Sequence, residues 1–136
     1  MYDYAGVILA GGKGERLTPV RAANGRDRSL PKPLVHINGI PMINRNILLT
    51  ENGDGSLVMG DVVVTAGRNT PSFEVWRKSH PHRDQIVIDH RQFPGSSAAA
   101  LAATELAHPD IGYIITSGDE IIPGFHLPSF LDYFSQ

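Results

Sequence analysis

Leu9-Ala10-Gly11-Gly12-Lys13-Gly14-Glu15-Arg16-Leu17-Thr18-Pro19 continues directly from the apolar run Tyr4-Ala5-Gly6-Val7-Ile8, and Pro31-Lys32-Pro33-Leu34 follows downstream. A continuous apolar run that ends in glycines reads as a buried parallel strand feeding a turn. Glycines there let the backbone come close to a ligand and offer N–H groups to anionic oxygens. The spacing is not that of a Walker A loop, and Leu17 fills the third glycine position of the dinucleotide fingerprint. Arg16 brings a planar fork matched to phosphate, charged at any relevant pH. Lys32 is a point charge whose flanking prolines restrict the backbone that carries it.

Outward from this stretch, strand and helix signals alternate. Leu34 to Ile37 is short and β-rich, and Asn38-Gly39 marks a turn. Pro41 stands where a helix can start, with Met42, Ile43, Ile47 and Leu48 at helical spacing. Residues 51–60 are polar and glycine-rich, which predicts a loop. Asp61 to Thr65, Gln85 to Asp89 and Ile111 to Thr116 are further strands. Thr70-Pro71 reads as a cap and first position of a helix through Lys78, and Ser96 and Ser97 as caps for the alanine-rich segment through Leu106. Pro128 can open a closing helix through Phe134. The alternation predicts an α/β fold: a three-layer, Rossmann-like, mostly parallel sheet with helices on both faces. The stretch from Gly11 to Pro33 is long for a loop inside a compact domain, and such loops are usually functional or disordered.

The 136 residues are 41% hydrophobic and 19% charged, which predicts a single domain burying roughly two-thirds of its unfolded surface. There is no cysteine, hence no disulfide and no thiolate metal site. The six histidines are scattered without metal-ligand spacing. No stretch approaches the ~18 apolar residues of a membrane helix, and Met1-Tyr2-Asp3-Tyr4 lacks the basic start of a signal peptide. A cytoplasmic protein is the expectation. Net charge of −2 gives no global pull toward nucleic acid or an anionic membrane. Locally, however, Lys13, Arg16, Arg21, Arg26, Arg28 and Lys32 make up half of the 12 basic residues, opposed only by Glu15 and Asp27. A cationic loop in a mildly acidic chain points to a small anionic ligand.

In an open parallel sheet, ligands bind beyond the carboxyl ends of the strands. Three features fall at such ends: the glycine turn, Gln92 to Ser97, and Asp119 after Gly118. One carboxylate with phosphate oxygens and waters makes an ordinary Mg²⁺ shell.

Taken together, Leu9 to Pro19, Pro31 to Leu34 and Gly118-Asp119 resemble the sugar-phosphate nucleotidylyltransferases, the NDP-sugar pyrophosphorylases. The resemblance covers residues 1–136 as one nucleotide-binding domain of the nucleotide-diphospho-sugar transferase type, shorter than typical members. It implies transfer of NMP from an NTP to a sugar phosphate with release of pyrophosphate. Carried over, Leu9, Ala10, Gly11, Gly12 and Gly14 hold triphosphate and base, and Gln92, Gly95 and Ser96 cradle the nucleobase. Arg16 grips the β and γ phosphates, Lys32 the sugar phosphate and α-phosphate, and Asp119 the Mg²⁺. Gly95-Ser96-Ser97-Ala98-Ala99 stands where many members have Gly-Thr-Ala-Gly-Ala, and the gap from Pro19 to Pro31 is longer than usual. Typical members also run on past Asp119 through a sugar pocket and a second metal-binding aspartate. Three readings therefore stand: a minimal enzyme, completed by a homodimer or a partner chain; a non-catalytic nucleotide-binding or regulatory homologue that keeps the triphosphate half; or a truncated remnant or partner subunit, lacking the sugar-binding half, whose fold serves association only. Apolar residues near the C-terminus, Tyr133 and Phe134 among them, are candidates to cover the sheet.

Overall fold

The computed structural model describes residues 4–11, 20–21, 27–28, 30–48, 52, 54–120 and 127–134. In chain order it contains strand β1 (Tyr4–Leu9), the short strands β2 (Val20–Arg21), β3 (Asp27–Arg28), β4 (His36–Ile37) and β5 (Ile40–Pro41), and helix α1 (Met42–Leu48). Strand β6 (Val62–Thr65), helix α2 (Thr70–Lys78), strand β7 (Ile86–Asp89), helix α3 (Ser96–Ala103), strand β8 (Gly112–Ser117) and helix α4 (Leu127–Phe134) complete it.

Four strands build one parallel sheet in the order β7-β6-β1-β8. From β1 the chain steps outward to β6 and β7, then returns to place β8 on the other side of β1. The order therefore reverses between β1 and β8, and the crevice beyond their carboxyl ends is where such sheets take ligands.

Period-2 alternation sorts the sheet residues onto two faces. Ile8, Val62, Val64 and Ile86 pack with Ile43 and Ile47 of α1, Phe73 and Trp76 of α2 and Leu127 of α4. Ala5, Val7 and Val63 pack with Ala103 and Ala107. Small alanines on α3 let it lie close to β1 and β6, so both faces carry helices as the alternation predicts. Leu57 and Met59, in the segment read as a polar loop, are buried in the first cluster.

Several local expectations need correction. Leu34 to Ile37 does not join the main sheet: Lys32–Leu34 is a 3-10 turn, and β4 pairs only with β5. The Asn38-Gly39 turn closes that hairpin with φ values of 52° and 78°, as a two-residue loop of mirror-image turn type requires. Pro41 sits in β5, one residue before α1. Neither predicted cap holds. Asn69 and Gly95 take the N-cap positions of α2 and α3 with no side-chain cap hydrogen bond. Thr70 instead turns its hydroxyl back to donate to the Gly67 carbonyl at 2.7 Å. A small antiparallel ladder, β2 with β3, lies inside the stretch read as loop. Tyr133 is exposed and covers no part of the sheet, while Leu127 anchors α4 in the core; the Phe134 side chain lies outside the described residues.

Candidate functional site

Hydrogen bonds across the strand ends fix the floor of the crevice. Ala10 N–H donates to both the carbonyl and the hydroxyl oxygen of Thr65, at 3.1 and 3.2 Å, tying the end of β1 to β6. On the other flank, Gly118 N–H donates to the Leu9 carbonyl at 3.0 Å. Gly118 is buried, and a Cβ there would lie 3.2 Å from both Ile8 and Pro33. That close approach is what brings the Lys32 turn against the end of β8.

The turn is set by its prolines. Pro33 and Leu34 are buried under α1, Leu34 N–H donates to the Pro31 carbonyl and Val35 N–H to that of Lys32. With its neighbours buried, Lys32 is left exposed and extends to Asp119, Nζ to Oδ2 at 3.3 Å. Ser117 Oγ donates to Asp119 Oδ1 at 2.8 Å. The Ser117 hydroxyl and then Lys32 hold the Asp119 carboxyl below the ordinary carboxylate range, against a burial that pushes it up. Asn46 of α1 donates to the Ser117 carbonyl at 3.1 Å and steadies the same strand end.

On the opposite wall, the segment after β7 is fastened from behind. Asp89, 1% exposed, accepts from Arg91 at three points: its backbone N–H at 3.1 Å, Nε at 2.9 Å and Nη2 at 3.0 Å. Arg91 also donates to the Ala102 carbonyl and to Glu105, both at 2.9 Å, and its guanidinium lies 5.5 Å from the centre of the Phe93 ring. The segment 91–96 is thus bound to α3 through one guanidinium. Burial pushes the Asp89 carboxyl up, but the Arg91 bonds outweigh it and leave it below its usual range.

These walls enclose a cleft of about 650 Å³. Leu9, Ala10, Gly11, Lys32, Gln92, Gly95, Ser96 and Asp119 all line it, so residues far apart in sequence that were singled out as binding or catalytic are brought to one cavity. Gly12, Gly14 and Arg16 lie outside the described residues. Sequence reasoning missed Thr65, Arg68, Arg91 and Ser117, which line the cleft too. For Arg91 the Asp-x-Arg spacing after a strand was an available signal, though without the burial of Asp89 nothing marks it as structural.

Among the described residues Asp119 is the one carboxylate lining the cleft, and no group of three or more His, Asp or Glu gathers to hold a metal ion. Asp119 offers carboxylate oxygens partly open to the cleft, and Mg²⁺ characteristically takes one or two carboxylates with phosphate oxygens and water. Among the described residues no helix is long and apolar enough to cross a membrane.

A family model described as "Nucleotidyl transferase" matches residues 5–136. A solved structure from Bacillus anthracis, named for glucose-1-phosphate thymidylyltransferase and in complex with a sucrose, superposes with a TM-score of 0.69 at 21% sequence identity. The match covers 98% of this chain and 51% of that one, so this chain spans about half the length of that protein and shares its fold. No curated protein matches.

Proposed function

The chain belongs to the nucleotidyl transferase family, and from that premise we propose that residues 1–136 act as one nucleotide-binding domain that transfers NMP from an NTP to a sugar phosphate, releasing pyrophosphate. The observation that carries this reading is the convergence of Lys32, Asp119 and the 92–96 turn on one cleft astride the reversal point of the sheet.

The chemistry asks little of the protein beyond placement. A phosphate oxygen of the sugar phosphate, ionised at neutral pH, attacks the α-phosphorus. The bond from that phosphorus to the bridging oxygen breaks, and pyrophosphate leaves with the electron pair. No general base is needed, so catalysis rests on orientation and charge neutralisation. Gly11 lets the triphosphate lie against the end of β1, and Gln92, Gly95 and Ser96 receive the base. Lys32 exchanges Asp119 for phosphate oxygens, and Arg16 grips the leaving phosphates. The Lys32–Asp119 pair is partly exposed, and pairs of that kind contribute little to stability, so parting them for substrate is cheap. Asp119 would hold the Mg²⁺, which would neutralise charge on the α-phosphate.

The test is thermal stability against ATP, CTP, GTP, UTP and dTTP, each with and without Mg²⁺, because a ligand of the native state alone raises its stability by mass action. A Mg²⁺-dependent rise with one or two nucleotides supports the reading and names the base. Pyrophosphate release with a panel of sugar 1-phosphates then separates an enzyme from a nucleotide-binding homologue. A flat response to all five overturns the nucleotide site.

A further inference from the structure

The charges lining the cleft are unequally committed. Lys32 is paired with Asp119 at 3.3 Å. Arg91 is held by Asp89 and Glu105, each at 2.9 Å. Arg68 lines the same cleft, is exposed, and among the described residues meets no carboxylate. Of the cations lining the cleft, it is the one that meets no carboxylate among the described residues.

Its backbone platform is rigid. Arg68 lies in the turn Gly67–Asn69 after β6, where Gly67 has φ of +54°, a left-handed conformation that suits glycine. Thr70 Oγ1 donates to the Gly67 carbonyl at 2.7 Å and Asn69 N–H to the Ala66 carbonyl at 3.0 Å, locking the turn. A Cβ at Gly67 would lie 3.6 Å from Gln92 and 3.9 Å from the Gly11 carbonyl. The turn is therefore wedged between the glycine turn of β1 and the segment that receives the base. A guanidinium at that place, meeting no carboxylate among the described residues, gives the cleft lining a planar donor set whose natural partners are phosphate oxygens.

We propose that Arg68 is a phosphate-binding residue of this site, contacting the anionic chain of the nucleotide from the β6 side, opposite Lys32. The inference rests on the nucleotide reading above. It assigns Arg68 a contact role that no sequence signal gave it, and it makes Arg68 a source of the long-range attraction that draws an anion into the cleft.

The experiment measures binding of sodium tripolyphosphate, of the five NTPs with Mg²⁺, and of the matching nucleosides, to the native chain and to Arg68→Ala and Arg68→Lys. Far-UV circular dichroism and thermal unfolding establish that the variants fold, which the exposure of Arg68 leads us to expect. Arg68→Ala should weaken tripolyphosphate and NTP about 10- to 100-fold and leave nucleoside unchanged, the range for loss of charge-assisted bonds. Arg68→Lys should recover part of the loss, and the gap should narrow at high salt. Equal binding by Arg68→Ala and the native chain overturns the inference and leaves the nucleotide reading standing. Tripolyphosphate binding that depends on Arg68, with none of the five NTPs bound, supports Arg68 as an anion contact and overturns the nucleotide reading. Binding of neither probe to the native chain overturns both.

Discussion

Asp89→Ala tests whether the wall carrying Gln92, Gly95 and Ser96 is held by the buried carboxylate behind it. The substitution removes three acceptor contacts from Arg91, at 3.1, 2.9 and 3.0 Å. Hydrogen bonds to charged groups contribute about 1.5–3 kcal/mol each. Their plain sum overstates the loss: the Arg91 side chain is 35% exposed, is rehydrated easily, and keeps Glu105 and the Ala102 carbonyl. Removing the carboxylate also removes its own desolvation cost. We expect a net loss of about 3 kcal/mol at neutral pH. With an unfolding entropy of about 2.1 cal/mol/K per residue over this chain, that lowers Tm by about 10 °C. Trp76, the one tryptophan, is buried with its indole N–H on Asn44 Oδ1 at 2.6 Å, and its fluorescence reports the unfolding. Because Arg91 depresses the Asp89 pKa in the folded state, the contribution is fully present above the unfolded carboxylate value of about 3.9 and disappears as pH falls through the lower folded value. The Tm gap between native chain and variant should therefore stay constant from pH 7 to about pH 4.5 and close in stronger acid. A gap under about 3 °C at pH 7, or one that persists undiminished as the acid limb is crossed, refutes the reasoning.

Asp119→Asn should remove the Mg²⁺ dependence of nucleotide binding while leaving the fold, since its partners Lys32 and Ser117 are partly exposed; calorimetric titration with and without Mg²⁺ checks this, and a variant that still responds to the metal places it elsewhere. Arg16→Ala should weaken NTP binding by roughly 1.5–3 kcal/mol, the loss of charge-assisted bonds, and unchanged affinity takes Arg16 out of the site. Gly118→Val should push Pro33 off the end of β8, where even a Cβ sits at 3.2 Å, with a cost of about 1–3 kcal/mol from overpacking and a loss of nucleotide affinity through the displaced Lys32. Phe73→Ala should cost about 3–5 kcal/mol from a fully buried position without changing which nucleotide stabilises the chain; a change in nucleotide preference contradicts the separation of core and site.

How far the chain could be read from its residues follows the range of the interactions. The central strands Tyr4–Leu9 and Val62–Thr65 were legible because burial on both faces demands unbroken apolar runs, and the edge strands Ile86–Asp89 and Gly112–Ser117 because they too are short, β-rich apolar runs, which are a local signal. The Asn38-Gly39 turn was legible because few residues other than Asn and Gly adopt positive φ readily. Asp119 and the 92–96 turn were legible as candidates because each follows a strand, and Lys32 because prolines flank it. The helix starts were misread: Thr70 and Ser96 have the chemistry of caps, yet Thr70 found a better acceptor in the Gly67 carbonyl and α3 begins from Gly95. Hydroxyl partners of that kind depend on the shape of the preceding turn, which composition does not encode.

The sequence by itself determined the class of fold, through apolar periodicity, and pointed to an anionic ligand, through glycines at a strand end and cations gathered in one loop. Only the tertiary structure decided which side chains share a cavity and which charges are already spent. Strand order β7-β6-β1-β8 placed Asp119 beside Lys32 and set Gly67, next to Arg68, against Gly11 and Gln92. Burial of Asp89 made Arg91 a fastening of the cleft wall. Periodicity is a property of neighbours along the chain, whereas the neutralisation of one charge by another depends on their distance and their shared burial, and both are fixed only when the strands are side by side.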